Sequence, residues 1–159
     1  MSKKLFIILG NQLFPKKYLE AYKKNHIFFM CEDYGLCTYE KHHKHKILLF
    51  LSAMRSFAEN LESDNYKLVY KKIEDKDFKD SYENKLKKVI LKHDINEVSF
   101  YEIEDKKFEK NIIKFFKNKN LKINEINSPM FMCSREDFKQ HLKSNKNNLM
   151  ANLFCVTCT

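Results

Sequence analysis

Short continuous apolar runs recur along the chain and are separated by segments of helical spacing. The first run covers residues 5–9 and stops at Gly10, a pattern typical of a strand that is buried on both faces of a parallel sheet. Similar runs at 27–31, 67–70 and 98–101 predict three further strands. Leu121, Ile123 and Ile126 predict a fifth strand with one wet face, as at the edge of a sheet.

Apolar residues at three- and four-residue steps predict helices between these strands. A short helix would open at Pro15, and longer ones would cover 82–90 and 108–116. The longest would turn these residues inward: Ile47, Phe50, Leu51, Met54, Phe57, Ala58 and Leu61. Thr38 is a candidate N-cap for it, with a start near His43 as the alternative. This alternation predicts an α/β fold, a doubly wound (Rossmann-like) parallel sheet of about five strands with flanking helices.

The carboxyl-terminal part has a different pattern. Ser134 and Asp137 have the spacing of a capping box, which predicts a helix carrying Phe138 and Leu142. Residues 149–159 are apolar but show no period. We therefore expect one domain over 1–150 and an irregular tail over 151–159.

Composition narrows the class of protein. The 159 residues are 43% hydrophobic, enough for a sizeable core, and no apolar run approaches the roughly 20 residues of a membrane span. Five cysteines at irregular spacing favour reduced thiols. We expect a cytoplasmic protein without membrane association. The net charge of +9 favours polyanion partners, but only two of the basic residues are arginine and the lysines look scattered, which predicts weak or no direct nucleic acid binding.

Polar residues follow the predicted strands at the edge where α/β sheets bind ligands, in the stretches 10–13, 32–38 and 102–105. Asn11 and Gln12 offer amide groups, and Glu32, Asp33 and Thr38 add carboxylates and a hydroxyl. Such a set suits a planar, hydrogen-bonding heterocycle with a polyol tail. The other interpretation is that these residues are ordinary polar turns.

Motifs of catalysis and metal binding are weak or missing. His42, His43 and His45 lack a zinc-like spacing, so we predict no metal site and read them as a positively charged helix entry. Cys155 and Cys158 form a C-x-x-C without the strand and helix of a redox motif. No dinucleotide fingerprint, P-loop or nucleophile elbow occurs, and we predict no catalytic residues.

Five motifs taken together resemble a known family. They are Gly-Asn-Gln-Leu at 10–13, Cys-Glu-Asp-Tyr-Gly-Leu-Cys-Thr-Tyr at 31–39, His-His-Lys-His-Lys at 42–46, Leu-Ser-Ala-Met-Arg at 51–55 and Met-Cys-Ser-Arg at 132–135. In this order they resemble the amino-terminal antenna domain of photolyase-related proteins, in the branch of iron–sulfur bacterial cryptochromes and prokaryotic (6-4) photolyases. The resemblance runs from about residue 4 to about residue 150.

The resemblance implies an antenna ligand, 6,7-dimethyl-8-ribityllumazine. The positions that match its pocket are Gly10, Asn11, Gln12, Leu13, Glu32, Asp33, Tyr34, Leu36 and Thr38. Many relatives carry Asp at position 11 and Glu at position 36, so this chain has lost two carboxylates from the pattern. His42, His43, Lys46 and Arg135 match positions that we assign to packing or a domain interface.

The family pattern continues into a helical domain that holds FAD, an iron–sulfur cluster and the DNA-repair site. We expect neither FAD nor the cluster in this chain, whose ending departs from the pattern as a truncated or frameshifted reading frame would. The predicted function is therefore a chromophore-binding antenna module without repair activity of its own. The alternatives are a subunit of a split DNA photolyase that acts with a separate FAD domain, and a truncated remnant without ligand. The partners that we expect besides a small-molecule chromophore are an FAD-domain chain or a second copy that forms a homodimer through exposed apolar surface.

Overall fold

A computed structural model describes residues 3–144. The chain divides into two compact units, Met1–Ile126 and Asn127–Thr159. The first unit contains one sheet of five parallel strands in the order β3-β2-β1-β4-β5. The strands are β1 (Lys3–Ile7), β2 (His26–Cys31), β3 (Leu68–Lys71), β4 (Ile95–Tyr101) and β5 (Lys122–Ile126). This confirms the predicted doubly wound α/β fold, with β5 at an edge.

Helices connect the strands as the spacing predicts, with two exceptions: the segment after Pro15 is not α-helical, and an additional short helix precedes the longest one. The α-helices of the first unit are α1 (Tyr34–Thr38), α2 (Lys44–Ser63), α3 (Tyr82–His93) and α4 (Lys106–Asn118). The helix expected after Pro15 is instead two 3₁₀ turns, Lys16–Tyr18 and Glu20–Tyr22. The segment is too short for a stable α-helix. Its Leu19 is buried, whereas Tyr18 is 40% exposed.

The helices cover the two faces of the sheet and create two cores. Helices α3 and α4 pack with one set of strand residues, and Leu86 and Phe116 are fully buried there. Helix α2 packs on the other face, where Leu61, Phe28 and Phe6 belong to one buried cluster. This division follows from the strand order, because right-handed crossovers that step in opposite directions from β1 place their connections on opposite faces.

Helix α2 begins later than one of the two predicted starts. Its N-cap is His43, whose Nδ1 accepts a hydrogen bond of 3.3 Å from the backbone N–H of His45. Thr38 belongs to the separate short helix α1, so the prediction of Thr38 as the N-cap is wrong and the alternative start near His43 is confirmed. Asp33 caps α1 by accepting from the backbone N–H of Leu36 at 2.9 Å.

The predicted inward face of α2 is only partly buried. Met54, Ala58 and Leu61 are buried, whereas Phe50 is 37% exposed and the rest of the predicted set is half-buried. A helix of 20 residues is about 30 Å long, and strands of four to seven residues span much less. The first half of α2 therefore projects beyond the carboxyl edge of the sheet, where Leu48 and Leu49 are 63% and 68% exposed.

The described part of the second unit contains helix α5 (Arg135–Ser144). The Oγ of Ser134 accepts from the backbone N–H of Asp137 at 3.1 Å, and the Asp137 carboxylate accepts from the Ser134 backbone N–H at 3.2 Å. This reciprocal pair confirms the predicted capping box. The apolar stretch 149–159 and the C-x-x-C of Cys155 and Cys158 lie outside the described residues.

Candidate functional site

A cleft of about 300 Å³ opens at the carboxyl edge of the sheet, beside β1. The chain steps from β1 to β2 and β3 on one side, and β4 and β5 lie on the other side, so the strand order reverses between β1 and β4. Crevices at such a reversal are the usual ligand sites of doubly wound sheets. The lining residues are Leu9, Gly10, Asn11, Cys31, Glu32, Asp33, Leu36, Cys37, Tyr39, His42, Lys46, Ile47, Phe50, Leu51, Met54, Ile103, Glu104, Asp105 and Phe108.

One wall of the cleft is apolar and comes from the projecting half of α2, through Ile47, Phe50 and Leu51. Gly10 lets the end of β1 approach this helix closely. A Cβ placed on Gly10 would lie 2.8 Å from the Sδ of Met54, well inside van der Waals contact. The overhang of α2 and the missing side chain at position 10 together shape the cavity.

The polar rim lies where β1 and β4 end. The Nδ2 of Asn11 donates to the Glu104 carboxylate at 2.9 Å. The Nε2 of Gln12 donates to the Glu102 carbonyl at 2.7 Å and lies 3.3 Å from the same Glu104 carboxylate. Gln12 is 1% exposed, and its Oε1 has no hydrogen-bond partner among the described residues. Amide groups and one carboxylate therefore cross-link the two strand ends on either side of the reversal.

Glu32 follows β2 and is wholly occupied by protein donors. Its Oε1 accepts from Arg55 Nε at 2.7 Å and from the Tyr70 hydroxyl at 2.5 Å. Its Oε2 accepts from Arg55 Nη2 and from the Ile73 backbone N–H, both at 2.9 Å. Burial opposes ionisation, but these hydrogen bonds outweigh it and hold the pKa of Glu32 below its ordinary 4.5. Four donors fill the four acceptor positions of a carboxylate, so Glu32 ties β2, β3 and α2 together.

Asp33 is also engaged by the protein. Its Oδ1 caps α1 through Leu36, and its Oδ2 accepts from Lys85 Nζ at 2.7 Å. The side chains of this ion pair are 3% and 0% exposed, so neither charge is solvated. The adjacent Cys31 is buried, which raises the pKa of its thiol to about 12. Burial likewise raises the pKa of Cys37. Both thiols are therefore protonated at neutral pH and are poor nucleophiles.

The geometry of the cleft suits binding of a ligand. The carboxylates that follow β2 are already paired with protein donors, whereas the ends of β1 and β4 offer amide and carboxylate groups next to an apolar wall. His42 and Lys46 add an imidazole and an ammonium group on the α2 side. Tyr39 stacks edge-on against His42, with ring centroids 5.8 Å apart, and lines the same side. The arrangement can hold a planar ring against α2 while hydrogen bonds fix its polar edge.

Of the nine residues predicted for the pocket, five line the cleft: Gly10, Asn11, Glu32, Asp33 and Leu36. The other four are not among its lining residues. Gln12 reaches Glu104 from the buried side. Leu13 is half-buried and packs with the core on the α2 face. The rings of Tyr34 and Phe78 lie edge-on with their centroids 5.7 Å apart. The Thr38 hydroxyl donates to the Tyr34 carbonyl at 2.7 Å.

Some lining residues were not singled out from the sequence. Glu104 lies in one of the strand ends that we expected at the ligand edge, but its pairing with Asn11 depends on β1 and β4 being neighbours. Ile47, Phe50 and Leu51 were assigned to the core because their spacing is that of an inward helix face. His42 and Lys46 were assigned to packing or a domain interface. The sequence does not show where α2 extends beyond the sheet, and this information was needed to assign these residues to the cleft.

Two further findings concern the described part of the chain. Within residues 3–144 no group of three His, Cys, Asp or Glu side chains is placed to hold a metal ion. His43 and His45 lie with ring centroids 4.8 Å apart, without a third such ligand beside them. No helix in this range is long and apolar enough to cross a membrane.

Comparisons with known proteins agree with the resemblance predicted from the motifs. The family model for deoxyribodipyrimidine photo-lyase-related proteins matches residues 6–154. A (6-4) photolyase of Agrobacterium fabrum (strain C58 / ATCC 33970) is 39% identical over 88 residues. That alignment covers 54% of this chain and 17% of the relative, so the chain matches only a small part of the longer protein. The chain belongs to the family of deoxyribodipyrimidine photo-lyase-related proteins.

Proposed function

We propose that this chain is an antenna module that binds a small light-absorbing heterocycle in the cleft between β1 and β4. The position of the cleft, at the reversal of strand order in a family of photolyase-related proteins, carries the proposal. The proposed ligand is 6,7-dimethyl-8-ribityllumazine, a bicyclic ring with a short polyol chain.

The size of the cleft supports a compact ligand. Ligand pockets in proteins are roughly 300–1,000 Å³, and this cleft of about 300 Å³ lies at the small end of that range. A bicyclic ring suits such a volume better than a dinucleotide does. We therefore assign neither FAD nor an iron–sulfur cluster to this cleft.

The chemistry of the cleft supports a ring with a polar edge. Ile47, Phe50 and Leu51 offer an apolar surface for one ring face. Asn11 and Glu104 offer an amide oxygen and a carboxylate for ring nitrogens or ribityl hydroxyls. Because Glu32 and Asp33 are engaged by protein donors, their role in this proposal is to hold β2, α1 and α2 in place around the ligand.

The proposed role is to absorb light and not to repair DNA. Photolyase chemistry depends on an excited reduced flavin, and a protein contributes by holding that cofactor against the substrate. The described residues offer a binding cleft and two protonated cleft thiols. An antenna module would pass its excitation energy to a flavin held elsewhere.

The first experiment is a near-ultraviolet and visible absorption spectrum of the purified chain, with mass identification of any compound released on denaturation. A released lumazine, or binding of added 6,7-dimethyl-8-ribityllumazine at micromolar concentration, is the expected result. A spectrum of protein alone that stays unchanged with about 100 µM lumazine would overturn the proposal and leave the remnant interpretation.

A matched pair of variants locates the ligand. Asn11→Ala removes one hydrogen-bonding group from the cleft and should weaken lumazine binding about tenfold, the equivalent of one hydrogen bond. Asn60→Ala removes the same group from an exposed position on α2 outside the cleft and should leave affinity unchanged. Equal effects of the two substitutions would place the ligand elsewhere.

The exposed start of α2 favours a second candidate, a photolyase subunit that docks a separate FAD-containing chain. Leu48 and Leu49 are 63% and 68% exposed, and apolar surface of this kind marks interaction sites. The molar mass of the purified chain distinguishes the possible occupants. A dimer that Leu48→Ser/Leu49→Ser converts to monomer would identify a second copy, whereas a monomer that binds a purified FAD-containing partner only when both leucines are present would support the split photolyase.

A further inference from the structure

Helix α4 carries a row of exposed lysines along one side. They are Lys107, Lys110, Lys114 and Lys117. The steps of three, four and three residues place their side chains on a single helix face. At 1.5 Å per residue the row is about 15 Å long. We refer to these four residues as the α4 lysine row.

The charge of the row is not neutralised by the described part of the protein. Within residues 3–144, none of the four ammonium groups has an ion-pair partner, whereas Lys4, Lys71, Lys88 and Lys122 are each paired with a carboxylate. Lys4 and Lys122 both contact Glu97, for example. The acid on α4 itself, Glu109, is buried and bonded to Lys106 at 3.2 Å.

The opposite side of α4 explains why the lysines face outward. Ile112 and Phe116 are buried against the sheet, and Phe108 and Phe115 are half-buried beside them. The apolar residues anchor the helix, so its basic side has a fixed orientation. Helix α3 lies on the same face of the sheet and adds exposed Lys87 and Lys92.

We propose that the α4 lysine row binds the phosphate backbone of a double-stranded nucleic acid without reading its sequence. Each strand of a duplex carries one phosphate per about 3.4 Å, so a row of about 15 Å spans roughly four phosphates. Lysine presents a point charge, not the planar fork of arginine that reads guanine, which favours backbone binding alone. The aromatic rings of α4 pack against the core, where Phe108 also lines the cleft, so unpaired bases have no stacking platform in the row.

This surface is separate from the cleft and does not depend on the proposed chromophore. Lysines that look scattered along the chain led us to predict weak or no nucleic acid binding, but helical spacing gathers four of them. The residues of the row do not line the cleft. Absence of a chromophore would leave the nucleic acid proposal standing, and absence of nucleic acid binding would leave the antenna proposal standing.

The test is the fluorescence anisotropy of a labelled duplex DNA of about 20 base pairs and arbitrary sequence, titrated with the full chain at several salt concentrations. Four phosphate contacts predict a slope of log affinity against log salt of about −3.6 on the duplex. A double-stranded RNA of the same length should also bind, because the row recognises backbone phosphates. A single strand should bind less tightly, with a slope of about −2.8.

Two double variants of equal net charge separate the row from the overall charge of +9. Lys110→Gln/Lys114→Gln should halve the duplex slope to about −1.8 and weaken binding at least tenfold at about 0.1 M salt. Lys24→Gln/Lys67→Gln removes two exposed lysines near the amino ends of β2 and β3 and should leave slope and affinity nearly unchanged. Unaltered unfolding midpoints would show that both variants fold.

Three outcomes would overturn the proposal. The first is no measurable duplex binding at about 50 mM salt. The second is equal weakening by the two double variants, which would mean that only the net charge acts. The third is binding of a polyglutamate peptide as tight as that of the duplex, which would identify an acidic protein as the better partner.

Discussion

Three strand ends meet at the cleft, and the polar residues after β2 are used differently from those after β1 and β4. After β2, Glu32 and Asp33 are buried and their carboxylate oxygens accept from protein donors. After β1 and β4, Asn11 and Glu104 lie at the rim with hydrogen-bonding capacity left over. The difference teaches that a polar residue at the ligand edge of a sheet is not thereby a ligand residue. Burial and the number of protein donors decide whether it holds the fold or faces a ligand.

The largest expected effect on stability comes from the buried ion pair between Asp33, which follows β2, and Lys85. Lys85→Met leaves the Asp33 carboxylate buried without its cation, which should cost about 3–5 kcal/mol of the free energy of unfolding. Urea unfolding measures it. Lys88→Met, at an exposed lysine paired with Asp80, should change the midpoint far less. Equal losses would mean that Asp33 keeps a solvated charge.

Glu32→Gln should have the next largest effect. It removes the charge that two Arg55 nitrogens, Tyr70 and the Ile73 amide all address, and we expect a loss of about 2 kcal/mol in urea unfolding. Glu74→Gln removes the exposed partner of the same arginine and should change stability by about 0.5 kcal/mol or less. A Glu32→Gln variant as stable as the wild type would show that Glu32 is free for a ligand.

The same carboxylate predicts a pH dependence. Its pKa is lowered in the folded protein, so its contribution to stability is complete above its ordinary 4.5 and is lost as the pH falls through the folded-state value. The difference in unfolding free energy between wild type and Glu32→Gln should therefore be constant from pH 7 to about 5.5 and shrink at lower pH. A difference that grew on acidification would contradict the lowered pKa.

The smallest effect on stability is expected at Asn11, which follows β1. Asn11→Ala removes an exposed hydrogen bond to Glu104 and should change the free energy of unfolding by about 0.5 kcal/mol or less. Together with the tenfold loss of lumazine affinity proposed above, this would complete the contrast, because the rim would matter for binding and not for folding. A loss above about 2 kcal/mol would mean that Asn11, like Glu32, stabilises the fold.

Helix α2 shows how far periodicity can be trusted. Spacing identified the helix and the buried Met54, Ala58 and Leu61 correctly, because one helix face meets the sheet. The same spacing continues through Ile47 and Phe50, which line the cleft. The spacing of apolar residues along a helix does not show how far the sheet beneath it extends, and here the sheet ends before helix α2 does.

The candidate site divides in the same way between what could and could not be predicted. Chain order and strand pattern indicated the edge of the sheet at which ligands bind, and five predicted residues do line the cleft there. Glu104 could not be paired with Asn11 in advance, because 93 positions separate them along the chain. That neighbourhood exists because β4 lies beside β1.

The sequence by itself determined the kind of fold, since alternating apolar runs and helical spacings leave few arrangements other than a parallel sheet covered on both faces. It also determined the family, through motifs whose order is specific. Only the tertiary structure decided three points. They are which polar residues stabilise the fold through protein hydrogen bonds, where α2 extends beyond the sheet, and which lysines lie side by side without an ion-pair partner among the described residues. These depend on contacts between residues far apart in the chain, and such contacts leave no local pattern.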